Sequence, residues 1–400
     1  MEWVVNRDAG PRVLDRMLLL SLLVAGTLDT GALPGVTGPY SVGRVTVEWT
    51  DRSRMEPLAA DHGYRTLVVD IWYPAEATSG AQAPYLDVAA FERAIGAAGM
   101  RRQLAPAYDV IIDGRVQTHA VVNAPFARSI GRAPVLIFSP GGGMVREVYA
   151  AQLADLASHG YIVAAITHPY DGVVAVYHDG HIVKYDAKRW PQIPSIEGEW
   201  NLNQLDWHAR DIGFVLDQLL QSNDGLPFAR HIDVRHVGAF GHSFGGVASA
   251  QACQTDARFS ACLNEDGMAA WRPFNVNSGA WRPKQRFMLI FRDVPPGPPP
   301  AEFAEQLKLL KRDHEIAMKT VAGGAYEVGL RAAGTSHADF SDLPMLGAMT
   351  STEADARAQV LATIRSLTLA FFEQTLRGRR SAVLEGKSPS EIVQPIHRFN

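Results

Sequence analysis

The chain has 400 residues, 47% hydrophobic and 20% charged, with 38 basic and 42 acidic side chains and a net charge of −4. This is ordinary globular composition, with ample apolar material for one large α/β domain carrying insertions. No basic patch or stripe stands out, which excludes a nucleic-acid partner. Two cysteines, Cys253 and Cys262, exclude a disulfide framework; they read as two buried thiols, with a single bridge as the alternative.

Met17 to Gly26 (MLLLSLLVAG) is a short apolar run preceded by Arg12 and Arg16. It is too short for a bilayer span, which takes about 20 apolar residues, and has the length of a signal-peptide core. Asp8 and Asp15 dilute the basic flank. The balance falls to a secreted or periplasmic protein, with an amphipathic N-terminal helix of a cytoplasmic protein as the alternative. Residues 1–33 form this segment, and Leu33 to Pro39 (LPGVTGP) reads as a linker.

Strand-like runs then alternate with helical patterns. Gly43–Thr50 and Arg65–Tyr73 read as strands closed by turn residues. Pro134–Ser139 and Tyr161–Ile166 are continuous apolar runs, as expected of strands buried on both faces. Between them Tyr149, Leu153, Leu156 and Ala157 recur at helical spacing, making a βαβ unit that requires a parallel sheet. Asp171 to Trp207 is rich in Tyr, Trp and His and reads as a cap inserted before the helix marked by Leu205, Ile212, Val215, Leu216 and Leu219. His236–Phe240 is a strand and Gly245–Thr255 a helix of small residues. Ser260–Leu263, Arg286–Phe291 and Tyr326–Arg331 are strands. Leu361–Leu376 is a closing helix, and residues 379–400 are a loose polar tail.

Gly241-His-Ser-Phe-Gly245 has the pattern of a nucleophile elbow, where a serine sits on a sharp strand-to-helix turn and bulky neighbours would collide. The pattern alone is common; the strand before it and the helix after it raise its weight. It predicts an α/β-hydrolase fold over residues 34–378, with a mostly parallel central sheet flanked by helices and a cap or lid at 171–207. Ser243 needs a base and an acid to orient that base, in the chain order Ser, acid, His. His337, in Gly334-Thr-Ser-His-Ala after the last strand, fits the base. His314 lies in a charged helical stretch and reads as a solvated residue; His397 falls in the tail. Two aspartates compete for the acid. Asp293 ends RFMLIF, the next-to-last strand, and Asp266 follows SACLN, one strand earlier. Glu265 would point to the opposite face of an extended segment. An oxyanion hole needs two N–H donors: Phe244, after the nucleophile, and Gly142 in the glycine loop after PVLIF.

These residues resemble one family, the plasma-type platelet-activating factor acetylhydrolases. GHSFGG at 241–246 is similar to its elbow, and Phe138–Gly143 followed by Leu153–Ala165 to its oxyanion strand, helix and next strand. Gly38–Gly43 is similar to its entry into the first strand, and Arg258–Asp266 and Ser336–Asp342 to its acid and histidine segments. The resemblance implies hydrolysis of short or oxidised acyl chains at the second position of phospholipids, without calcium or any other cofactor or metal. It implies Ser243, Asp266 and His337 as the triad and Gly142 and Phe244 as the oxyanion hole. The partner it implies is a small-molecule or lipid ester, with transient contact at a membrane or lipid surface. Two departures bear on substrate. The loop reads Pro140-Gly-Gly-Gly where the family has a histidine and a bulkier residue, and Gly267 and Met268 follow Asp266 in place of an aromatic.

Three other readings compete. His178-Asp-Gly-His181 could offer two metal ligands, but no third accompanies them and HExxH is absent, so a hairpin turn is the better reading. A cutinase-like or polyester-degrading esterase shares the elbow and the fold. A non-catalytic binding module of the same fold would lack an ordered triad.

Overall fold

The computed structural model describes residues 32–399 except 57, 60–62, 78, 186–201, 222–224, 268–283, 294–307, 309–311, 313, 322 and 332. The N-terminal apolar run and the middle of the expected cap lie outside the described residues.

The apolar runs become strands because only a sheet covered on both faces can bury them whole. The twelve described strands are β1 (Ser41–Met55), β2 (Tyr64–Ala75), β3 (Ala120–Val122), β4 (Ala133–Ser139), β5 (Ile162–Thr167), β6 (Val174–Val176), β7 (Ile182–Lys184), β8 (Ile232–His242), β9 (Ala261–Glu265), β10 (Arg286–Asp293), β11 (Ala325–Arg331) and β12 (His397–Phe399). Ten of them form one sheet in the order β12-β11-β10-β9-β8-β4-β5-β2-β1-β3. Its centre, from β5 through β4, β8, β9 and β10 to β11, is parallel throughout. β2 joins antiparallel to both β5 and β1. The remaining two strands, β6 and β7, make the hairpin expected around His178–His181.

The helices α1 (Val88–Leu104), α2 (Tyr108–Ile112), α3 (Ala150–Ser158), α4 (Leu202–Gln221) and α5 (Phe244–Thr255) precede a closing helix, Ser351–Arg377. The alternation of strand side chains assigns them to two layers. Leu136, Phe138 and Phe240 face one core with Leu153 and Leu156 of α3 and Leu367 and Phe371 of the closing helix. Val135, Ile137 and Ala239 face the other, with Ile212, Val215 and Leu216 of α4 and Val247 of α5.

Five expectations need correction. The last part of the expected cap, from Leu202, is the first turn and a half of α4, whose apolar stripe reaches back to Leu205. The closing helix starts ten residues before Leu361, capped by Thr350 accepting from the Glu353 N–H; its first turns are largely exposed and so carry no apolar stripe. The tail is not loose. Leu384 and Val393 are buried, and β12 pairs antiparallel with β11, covering what would be an open sheet edge. Cys253 and Cys262 are joined in a disulfide between α5 and β9, with Cα atoms 6.3 Å apart, rather than standing as two thiols. His314, expected to be solvated, sits with Nε2 3.4 Å from Glu327 of β11. Among the described residues, no helix is long and apolar enough to cross a membrane.

Candidate active site

Ser243 stands between β8 and α5 with φ 53° and ψ −122°, a conformation that costs a non-glycine residue free energy. The two glycines around it make the turn sterically feasible. A Cβ on Gly241 would lie 2.4 Å from the Ser139 carbonyl oxygen, and one on Gly245 only 2.0 Å from the same atom. The strand behind therefore passes through space that any side chain would fill. The Ser243 N–H donates to the Glu265 carbonyl at 2.7 Å, tying the elbow to the end of β9.

Just beyond that point Asp266 also takes a positive φ, 53°. Its N–H donates to the Ile290 carbonyl at 2.7 Å, and the turn directs the carboxylate to the 3-10 turn His337–Phe340. His337 Nδ1 lies 2.6 Å from Asp266 Oδ2. The Arg292 backbone N–H donates to Asp266 Oδ1 at 2.9 Å, and its Nε to Oδ2 at 3.1 Å. Burial pushes the Asp266 carboxyl up, but the hydrogen bond from His337 and the two from Arg292 outweigh it and hold it below the ordinary carboxylate range. It is therefore ionised at neutral pH.

Asp293, the competing acid and the last residue of β10, accepts from the Gln394 side chain instead. Glu265 is buried on the opposite face, accepting from Gln152 and Thr368, and burial raises it to about 8. His337 Nε2 has no hydrogen bond to Ser243 here; such contacts commonly tighten only with substrate in place. His242, next to Ser243 in the chain, has its ring 4.4 Å from that of His337 and stacked on Phe340 at 5.4 Å. Burial first, and then His337, lower His242 to about 3, so it stays neutral beside the base.

The glycine loop after β4 packs against the elbow. A Cβ on Gly142 would lie 3.6 Å from Phe244 Cβ, and one on Gly141 3.4 Å from Ser243 Cβ. The Gly141 N–H donates to the Tyr149 hydroxyl at 3.2 Å, and that hydroxyl contacts His242 Nδ1 at 2.9 Å. Gln103 of α1 donates to the Gly143 carbonyl at 3.0 Å. The Gly142 N–H has no partner among the described residues. Sequence reasoning missed Arg292, Tyr149, His242 and Gln103. The first lies 26 residues from Asp266, and Gln103 40 from Gly143, so neither contact has a local signal. Among the described residues no group of three or more His, Cys, Asp or Glu could hold a metal ion.

A serine elbow at the carboxyl end of a mostly parallel sheet, with helices on both faces, defines the class: the fold is that of the α/β-hydrolases. The model of the family "Platelet-activating factor acetylhydrolase, isoform II" matches residues 25–377. A protein from Arthroderma benhamiae named probable 1-alkyl-2-acetylglycerophosphocholine esterase is 28% identical over 93% of this chain and 95% of its own. A platelet-activating factor acetylhydrolase from Canis lupus familiaris is 26% identical over 72% of this chain and 67% of its own. Among solved structures, a ferulic acid esterase from Streptomyces cinnamoneus superposes with a TM-score of 0.69 at 25% identity, covering 93% of this chain and all of that one. The chain belongs to the platelet-activating factor acetylhydrolase, isoform II, family, and it is a carboxylic ester hydrolase.

Proposed function

We propose that this esterase removes short acyl chains, the acyl group at the second position of phospholipids among them, through a Ser243–His337–Asp266 triad and an acyl-enzyme. The observation that carries the reading is the 2.6 Å contact of His337 Nδ1 with Asp266 beside a strained elbow serine. With Nδ1–H committed to the carboxylate, His337 Nε2 is the free base. It takes the proton as Ser243 Oγ attacks the ester carbonyl and returns it to the leaving alcohol; water then repeats the sequence on the acyl-enzyme. The Gly142 and Phe244 N–H groups receive the oxyanion. Each such donor contributes about 3 kcal/mol in the transition state.

Substrate class rests on kinship. The names of the fungal and canine relatives supply the phospholipid reading. The ferulic acid esterase neighbour and the bare glycine loop favour, as the second reading, an esterase for other alcohols, cutinase-like in scope. Hydrolysis of p-nitrophenyl acetate or butyrate is expected to exceed that of palmitate by at least about tenfold in kcat/KM, the discrimination a short apolar pocket supports. A short-chain phospholipid should then outrank methyl ferulate in the same assay. A preference for palmitate would point to a lipase, and a preference for ferulate to the second reading.

EDTA is expected to leave turnover unchanged, because serine chemistry needs no Lewis acid. Loss of activity that calcium or zinc restores would contradict the mechanism. The Cys253–Cys262 bridge supports export to a secreted or periplasmic location, since such bonds persist in oxidising compartments.

A further inference from the structure

Behind the glycine loop lies a buried polar layer that the proposed chemistry does not use. The turn 168–172, which follows β5, runs beneath the loop. Gly143 and Gly172 bridge in parallel, and a Cβ on Gly172 would lie 3.1 Å from the Met144 carbonyl oxygen. Asp171, 4% exposed, rises from this turn. Its carboxylate accepts from Gln204 Nε2 of α4 at 2.5 Å. His208 Nε2 lies 3.6 Å away, and both His208 ring nitrogens are buried without a hydrogen-bond partner. The His208 ring stacks on His168 with centroids 3.8 Å apart and meets Phe244 edge-on at 4.9 Å. One layer thus touches the peptide next to Gly142 and the side chain of Phe244, the two proposed oxyanion donors.

A carboxylate in such a place is costly, and a hydrophobic residue would fill the space without the desolvation. Resting on the serine-esterase reading, we infer that Asp171 is a positioning residue: by tying the turn 168–172 to α4 through Gln204 it fixes Gly172, which bridges Gly143, and so aims the Gly142 N–H at the developing oxyanion. Oxyanion stabilisation depends on donors fixed before the charge appears, so a loop free to turn loses rate without losing substrate.

The neighbours of Asp171 decide when that grip holds. Burial raises its carboxyl to about 7, against the pull of Arg65 of β2 and the hydrogen bond from Gln204, with Asp211 of α4 adding to the rise. His208 is kept neutral by burial and then by His168. Asp211, despite burial, is held ionised by Arg65, and burial also keeps His168 neutral. Asp171 is therefore the group among these that changes charge near neutrality. Its carboxylate is ionised above that point, and the grip weakens as pH falls through it.

The test uses the full chain. Asp171→Asn keeps size but not charge, and is expected to lower kcat for p-nitrophenyl acetate by about 10–100-fold, with KM changed by less than about twofold. Affinity for a trifluoromethyl ketone, whose adduct occupies the oxyanion hole, should fall in parallel with kcat. The acid limb of the kcat profile should also fall back to the titration of a single group. Gln204→Leu leaves Asp171 in place but removes a donor to it, so its acid limb should move to higher pH. A purely structural role would lower the melting temperature and the fraction of labelled enzyme. If kcat per labelled site, ketone affinity and both pH limbs then match the wild type, the inference is overturned. Esterase activity surviving in Ser243→Ala would instead overturn the reading on which it rests.

Discussion

Ser243→Ala is expected to fold normally and to lose about 10⁶ in kcat, leaving only the about 10³–10⁴ over water that an oxyanion hole and substrate binding supply. The substitution deletes one hydroxyl and keeps the Cβ, so the positive φ of the elbow carries no new strain. The steric demand there falls on Gly241 and Gly245, which are untouched. Thermal melting should therefore be unchanged while hydrolysis of p-nitrophenyl acetate disappears. Near-normal turnover in the variant would remove Ser243 from the mechanism.

The second large effect separates the two aspartates. Asp266→Asn is expected to cost about 10⁴ in turnover, because an amide can donate to His337 Nδ1 and so place the imidazole proton on Nε2, where the base must be free. The same change removes the charge that Arg292 meets at 3.1 Å, so loss of orientation adds to loss of tautomer. Asp293→Asn should leave most activity, since that carboxylate accepts from Gln394 and makes no contact with His337. The measurement is kcat for both variants on one short-chain ester. Equal damage, or greater damage from Asp293→Asn, would reject Asp266 as the acid and move the enzyme toward the cutinase-like esterases.

The legible parts of this molecule are those where local sterics or burial leave a trace in the residues. The strands β4 and β5 are apolar up to their last residue because both faces are covered, and the elbow shows its glycines because Ser139 passes behind them. Asp266 and Asp293 are not separable by such signals, as each closes a neighbouring parallel strand. What distinguishes Asp266 is a left-handed turn toward His337, and only its own Asp and the Gly267 after it hint at one. The disulfide was illegible because nine residues of spacing do not reveal a 6.3 Å Cα separation created by α5 folding back on β9. Asp171 reads only as the start of the cap segment, and its meaning comes from Gln204 and from the bridge of Gly172 to Gly143, brought to it by the fold. The C-terminal strand β12 is polar because it lies at a sheet edge.

The most direct test of the central claim is to label the wild-type enzyme with a fluorophosphonate probe and map the adduct by peptide mass spectrometry. One phosphonyl group per chain, on the peptide carrying Ser243, with loss of esterase activity in step with labelling, is the predicted result. Full inactivation with the adduct on another residue, or full activity after Ser243 is labelled, would contradict it.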